Sequence, residues 1–220
     1  MRASQSTGHA APLVAGGRNI PARIALSAGH RNDPPRYAQR IGVAPPVADV
    51  FDLALRRAMV RAMPLDPAFV ADCPYGPGGL MLDEVLEIDR EASRVVARMP
   101  THDDLPLTRE QRSHPLKHPR HVSGGLMVHM TGMVAFVHGY YVLDLRHADG
   151  WIGYGGRIHS ARFKAIAPPG EPIDIECRAT QLRRGTTSVL ARYAFTFTQK
   201  GTLIYEGDQT ALWQLVQGAA

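Results

Sequence analysis

At 220 residues the chain is long enough for one well-buried core, or for one domain with an extension, and too short for two ordinary domains with long linkers. A 45% hydrophobic and 20% charged composition fits a soluble globular protein and argues against a disordered or membrane class, while Cys73 and Cys177 supply neither a disulfide framework nor a CxxC metal knuckle. The formal charge of +5 is carried almost wholly by arginine; with no Lys/Arg block and no aromatic-interleaved basic stripe, it points away from nucleic acid.

The first residues, "MRASQSTGHAAPLVAGG", hold only a broken apolar run, so no signal peptide is expected and the expected location is the cytoplasm. Residues 1–46 are rich in Gly, Pro, Ala, Ser and Arg and read as an irregular arm. From Val47, "VADVFDLALRRAMVRAM" places apolar residues at helical spacing and predicts an amphipathic helix that "MPLDP" stops. The arm and this helix make up a first region, 1–66, ahead of a folded domain over 67–220. "PYGPGG" reads as a loop. "LMLDEVLEID" (80–89) and "RVVARMP" (94–100), joined by "REAS", predict a strand pair.

"THDDLPLTREQRSHPLKHPR" is polar and contains prolines, so it must be a long loop, and loops of that length in a compact domain are often functional. From Val122 to Leu143 there is no Asp, Glu, Lys or Arg. That length approaches a membrane span, but His129, Thr131, His138 and several glycines interrupt it and strands follow closely. A helix over 125–143 buried in a soluble core, apolar almost all round, is the expectation. Strands then follow over 150–166, 173–184, 187–199 and 203–216, with clean alternation in "IDIECRA" and "YAFTFT". Two strands, a loop, a buried helix and four long strands predict an α+β fold, an antiparallel sheet wrapped about one helix.

This order, with "LMLDEVLEIDREASRVVARMP", "SGGLMVHMTGMVAF" and "SARFKAIAPPGEPIDIECRATQLRRG", resembles the hotdog superfamily, especially its 3-hydroxyacyl-acyl-carrier-protein dehydratases, over about residues 75–216. The resemblance implies a hotdog fold, a homodimer or higher even oligomer with the site between subunits, and acyl thioesters of coenzyme A or acyl-carrier protein as substrates. From the residues themselves, no cofactor, metal, nucleic acid or membrane is expected as a partner. The dehydratases pair a loop histidine with a helix carboxylate; here the aligned helix position holds His129, and His114, His118 and His121 all lie in the preceding loop. The uncharged helix is also similar to that of fatty acyl-CoA thioesterases of the same fold.

Hydrolysis needs a base for water and donors for the oxyanion. His121 at the helix mouth is the candidate base, and His129 stands where the acid is missing, as either a second catalytic group or a core histidine bonded to a backbone carbonyl. Gly124 and Gly125 offer backbone N–H groups at a helix N-terminus, or permit close helix–sheet packing. Ser123, an N-cap by position, together with Tyr154 and Arg157, is a candidate substrate contact; Arg162, Lys164, Arg183 and Arg184 are candidate contacts for the phosphates of coenzyme A. Thioester hydrolysis is the leading reading; a dehydratase-like enzyme with histidine for the acid and a non-catalytic acyl-binding subunit are the alternatives.

Overall fold

The computed structural model describes residues 62–216. Seven strands form one antiparallel sheet: β1 (Met63–Pro64), β2 (Glu84–Asp89), β3 (Arg94–Met99), β4 (Trp151–Phe163), β5 (Ile173–Arg184), β6 (Ser188–Gln199) and β7 (Thr202–Leu215). Their order is β1-β2-β3-β5-β6-β7-β4. The alternation seen in the sequence sets the two faces: Ile173, Ile175 and Cys177 of β5 and Val189, Ala191, Tyr193, Phe195 and Phe197 of β6 are buried. Between them Asp174 and Glu176 turn outward, where Arg98 bonds Asp174 at 2.8 Å and Arg94 bridges Glu87 and Glu176. These half-exposed pairs fix register at under about 1 kcal/mol each.

The long helix, Gly124–Tyr141, lies across the buried face. It holds no charged residue, and Leu126, Met127, Met130, Met133, Val134 and Val137 are all buried. A helix apolar on every side has no face to offer water, so the sheet and its connections enclose it. Ser123 caps it by accepting the Gly125 N–H. Gly139 seats its far end on the sheet: a Cβ there would lie 2.6 Å from Trp213 Cη2.

Three expectations are corrected. The helix over 47–63 lies outside the described residues except for its end, and there Met63 is in β1, paired with Val85 of β2, so the sheet draws in residues assigned to that helix. The segment after it is not all loop. Short helices α1 (Pro67–Asp72) and α2 (Pro77–Leu80) occupy it, and the long helix is therefore α3. Asp66 accepts the Ala68 N–H at 2.8 Å with Pro67 at the first helical position, a start signal that the reading of "MPLDP" as a stop passed over. Finally, the strand expected from Leu80 begins at Glu84, because Leu80 ends α2 and Met81 caps it in the left-handed conformation at φ 50°.

β4 is an edge strand among the described residues. Bulges between Gly155 and Arg157 and between Ile158 and Ser160 bend it, and it carries Tyr154, Ile158 and Phe163 half-exposed. No helix among the described residues is long and apolar enough to cross a membrane.

Candidate functional site

Among the hollows along α3 in the described residues, two bear on the candidate site. The first, about 320 Å³, opens at its N-terminus and is lined by His121, Gly124, Met127, Phe163, Lys164 and Ile166, among others. The loop before α3 is held there by the Val122 N–H, which donates to Ala167 O at 2.8 Å. Gln111 grips the His121 backbone from both sides, its amide nitrogen donating to His121 O (2.8 Å) and its oxygen accepting the His121 N–H (3.1 Å); Thr108 donates to the same carbonyl at 3.3 Å.

The His121 ring has its own constraint. Nδ1 lies 2.8 Å from Pro119 O, and a carbonyl only accepts, so Nδ1 carries a proton and, in the neutral ring, the lone pair falls on Nε2. That is the tautomer a general base requires. Beside it, Ser123 Oγ takes the Gly125 N–H, while the Gly124 and Leu126 N–H groups have no acceptor among the described residues. Gly124 also serves packing: a Cβ there would sit 2.8 Å from Phe163 Cε1. Gly125 is exposed and uncrowded.

His129 stands elsewhere. Its Nε2 donates to Gly79 O at 2.7 Å and its ring packs edge-on to Tyr75 with centroids 5.5 Å apart, so it ties α3 to α2. It lines neither of these two hollows, whereas His121 lines the one at the N-terminus of α3. Of the other loop histidines, His114 and His118 pair through their backbones, and His114 Nδ1 accepts the N–H groups of Leu116 and Lys117. No cluster of three or more His, Cys, Asp or Glu among the described residues is placed to hold a metal ion.

The second hollow, about 60 Å³, lies under the middle of α3 against β4 and β7, lined by Thr131, Gly132, Phe136, Tyr154, Gln209 and Trp213 among others. Tyr154, half-exposed, stands on its rim; Arg157 lines neither hollow and is exposed on β4. Lys164 is paired with Glu206 at 2.9 Å, which lowers the Glu206 pKa, and Arg184 donates to Leu143 O; Arg162 and Arg183 are exposed. A larger hollow, about 510 Å³, lies on the opposite face of the sheet between ion-paired strands, and neither histidine nor cysteine lines it. The hollows beside α3 combine titratable groups, free N–H donors and apolar walls; the larger one does not.

The sequence singles out neither Gln111 nor Gln209, and Thr131 and His138 stand out in it only as polar interruptions of the apolar run. His138 is fully buried, its Nε2 donating to Ser93 O at 2.9 Å and its Nδ1 accepting from the Tyr193 hydroxyl at 3.3 Å. Desolvation lowers its pKa from 6.5 to about 4 and pushes that of Tyr193 far above the ordinary phenol range.

Neither a protein-family model nor a curated protein matches the chain. Solved structures do. A dehydratase heterocomplex, ApeI:P, from Xenorhabdus doucetiae superposes with a TM-score of 0.51 at 15% identity, over 71% of this chain and 94% of that one. The chain has the hotdog fold. Other structures similar to this hotdog domain include a phenylacetic acid degradation-related protein from Ralstonia eutropha (TM-score 0.47, 18% identity, 66% of this chain and 95% of that one). Zebra fish thioesterase superfamily member 2 is another (0.44, 23%, 67% and 91%).

Proposed function

We propose that the protein hydrolyses fatty acyl thioesters of coenzyme A or acyl-carrier protein at the mouth of α3, without a cofactor. The observation that carries this reading is the His121 imidazole, whose Nδ1–H is held by Pro119 O, in one hollow with the N-terminus of an uncharged helix. His121 Nε2 takes a proton from water, and the hydroxide attacks the thioester carbonyl carbon. The Gly124 N–H, with about half a positive charge from the helix dipole behind it, receives the oxyanion. When the C–S bond breaks, the imidazolium returns the proton to the departing sulfur. Ser123 caps the helix that presents this donor, and His129, engaged by Gly79 O, anchors α2 rather than carrying a proton.

A dehydratase needs an acid as well as a base, and α3 supplies no carboxylate. A homodimer fits the free edge of β4 with its exposed Tyr154, Ile158 and Phe163, since such an edge is a template for a second strand. The test is incubation with acyl-CoA and with 3-hydroxyacyl thioesters while free thiol and enoyl absorbance are followed. Thiol release that falls by about 10²–10⁴ in His121→Ala supports the proposal; enoyl formation overturns it in favour of dehydration, and silence in both assays in favour of binding alone.

A further inference from the structure

The loop before α3 holds two leucines out to solvent beside the mouth. Leu107, 53% exposed, is in the left-handed conformation at φ 65°, and it lies over the first turn of α3, where a Cβ on Gly125 would be 3.5 Å from its Cδ1. A leucine in that conformation is strained, and such strain persists only where the surrounding structure enforces it. Leu116, 90% exposed, stands at the tip of a hairpin over 114–118. The His114 N–H donates to His118 O at 2.7 Å, the His118 N–H to His114 O at 3.0 Å, and His114 Nδ1 accepts from Leu116 and Lys117. Pro115 has no N–H, so every backbone donor of the hairpin is paired within it, and Leu116 is held without help from the core. The His118 ring, edge-on to that of His121 with centroids 5.1 Å apart, sets the hairpin directly against the candidate base.

Single exposed leucines are ordinary, but rigid ones at a mouth are preorganised anchors, because their ordering cost is met before a partner arrives. Their setting is basic. Residues 62–220 carry 16 basic and 17 acidic residues, and 109–121 hold four of the former and one of the latter, so this stretch is +3 on a region that is −4 elsewhere. Arg109 bonds its neighbour Glu110 at 3.0 Å and Arg120 stands 3.9 Å from Asp103. Arg112 and Lys117, on either side of Leu116, are exposed and make no ion pair among the described residues.

We propose that this loop docks a protein rather than a nucleotide: the acyl group reaches His121 as the thioester of an acidic acyl-carrier protein, with Leu116 as the anchor and Arg112 and Lys117 at the rim. The proposal rests on the hydrolytic reading above and selects between the two carriers that reading allows. The phosphates of coenzyme A would use the cations and leave the leucines idle, whereas an acidic protein surface uses both. A membrane surface asks for more apolar area than two leucines supply. Leu116 is five residues from His121, at most about 18 Å, and the phosphopantetheine arm of a carrier protein, roughly fourteen bonds at about 1.2 Å each, spans about 17 Å.

The test puts one acyl group on two carriers, octanoyl-coenzyme A and a bacterial acyl-carrier protein loaded with octanoate, and offers both to the full chain and to Leu116→Asp. Leu116 is exposed, so the variant keeps its core. For the wild-type protein, kcat/KM for thiol release is expected to be at least ~10-fold higher on the carrier protein. Leu116→Asp is expected to lower that value at least ~10-fold while changing the coenzyme A value by no more than about twofold. Equal or faster turnover of octanoyl-coenzyme A by the wild type overturns the proposal and leaves hydrolysis standing. So does a variant that slows both substrates alike, and sedimentation with anionic vesicles that Leu116→Asp abolishes would then give the loop to a membrane. If neither substrate releases thiol, the anisotropy of a fluorescent carrier protein titrated with the chain decides. Binding weakened ~10-fold or more by Leu116→Asp retains the docking surface and refutes hydrolysis alone, whereas absent or unchanged binding refutes the docking surface as well.

Discussion

His138 makes the stability of this domain depend on pH in a calculable way. In the fold its imidazole is neutral, with Nε2 donating to Ser93 O and Nδ1 accepting from Tyr193, and its pKa is lowered from 6.5 to about 4. Unfolding returns it to water, where it binds a proton below about pH 6.5. Between pH 6.5 and 4 the unfolded chain therefore holds more protons, so stability rises with pH across that window and is lost as pH falls through it. One pKa unit corresponds to about 1.4 kcal/mol, and the shift caps the effect at about 3 kcal/mol; about 2 kcal/mol of it is lost between pH 7 and pH 5. The perturbation is His138→Gln, which keeps a donor for Ser93 O and removes the titration. Urea unfolding followed by tryptophan fluorescence at pH 7, 6, 5 and 4 should show the wild-type protein losing about 2 kcal/mol more than the variant from pH 7 to pH 5. The variant is less stable at pH 7 by about 1–3 kcal/mol, since Tyr193 loses its acceptor. Parallel pH profiles for the two proteins would refute the reasoning, because they would mean that the buried imidazole takes up its proton as readily as the unfolded one.

The same substitution at two positions of α3 should have opposite signs. Gly132→Ala meets nothing within 4 Å and raises stability by about 0.8–1 kcal/mol, whereas Gly139→Ala drives its Cβ against Trp213 and lowers it by about 1–3 kcal/mol; thermal melts of both variants check this. Gln111→Ala frees the His121 backbone and should reduce kcat for thiol release by about tenfold or more, with KM changing less, because a misplaced base costs rate more than binding. Ile158→Lys puts a charge on the exposed edge of β4 and should shift the protein from dimer to monomer in light scattering after gel filtration; an unchanged mass would remove β4 as the contact. Arg90→Ala breaks the pair with Asp144, whose partners are both well exposed, and should change the melting midpoint by no more than a few degrees.

The fold was legible because its signals are periodic and long. β5 and β6, each of twelve residues, alternate so regularly that the expected span of β5, 173–184, matches Ile173–Arg184 to the residue. An uncharged run with no polar face admits only an enclosed helix, and α3 is that helix. Short elements carry no such redundancy. α1 and α2, six and four residues long, are set by a cap and a proline rather than by a pattern, and Met63 joins the sheet because β2 lies alongside it.

The sequence by itself determined which residue types stand near the mouth of α3: a cluster of histidines, a capping serine, two glycines and no carboxylate. Only the tertiary structure decided what each of them does. His129 was read as either a catalytic group or a core histidine, and the Gly79 carbonyl, fifty positions away in the chain, engages it. His121 acquires a defined tautomer from Pro119, two residues away, but its position comes from Gln111 across the loop. Gln209 looks like any polar residue of a strand until α3 covers it and brings Thr131 within 3.0 Å of its amide. Periodicity encodes which way a side chain faces, and that is local. Whether it then finds a partner depends on what the rest of the chain brings against it, which no local pattern contains.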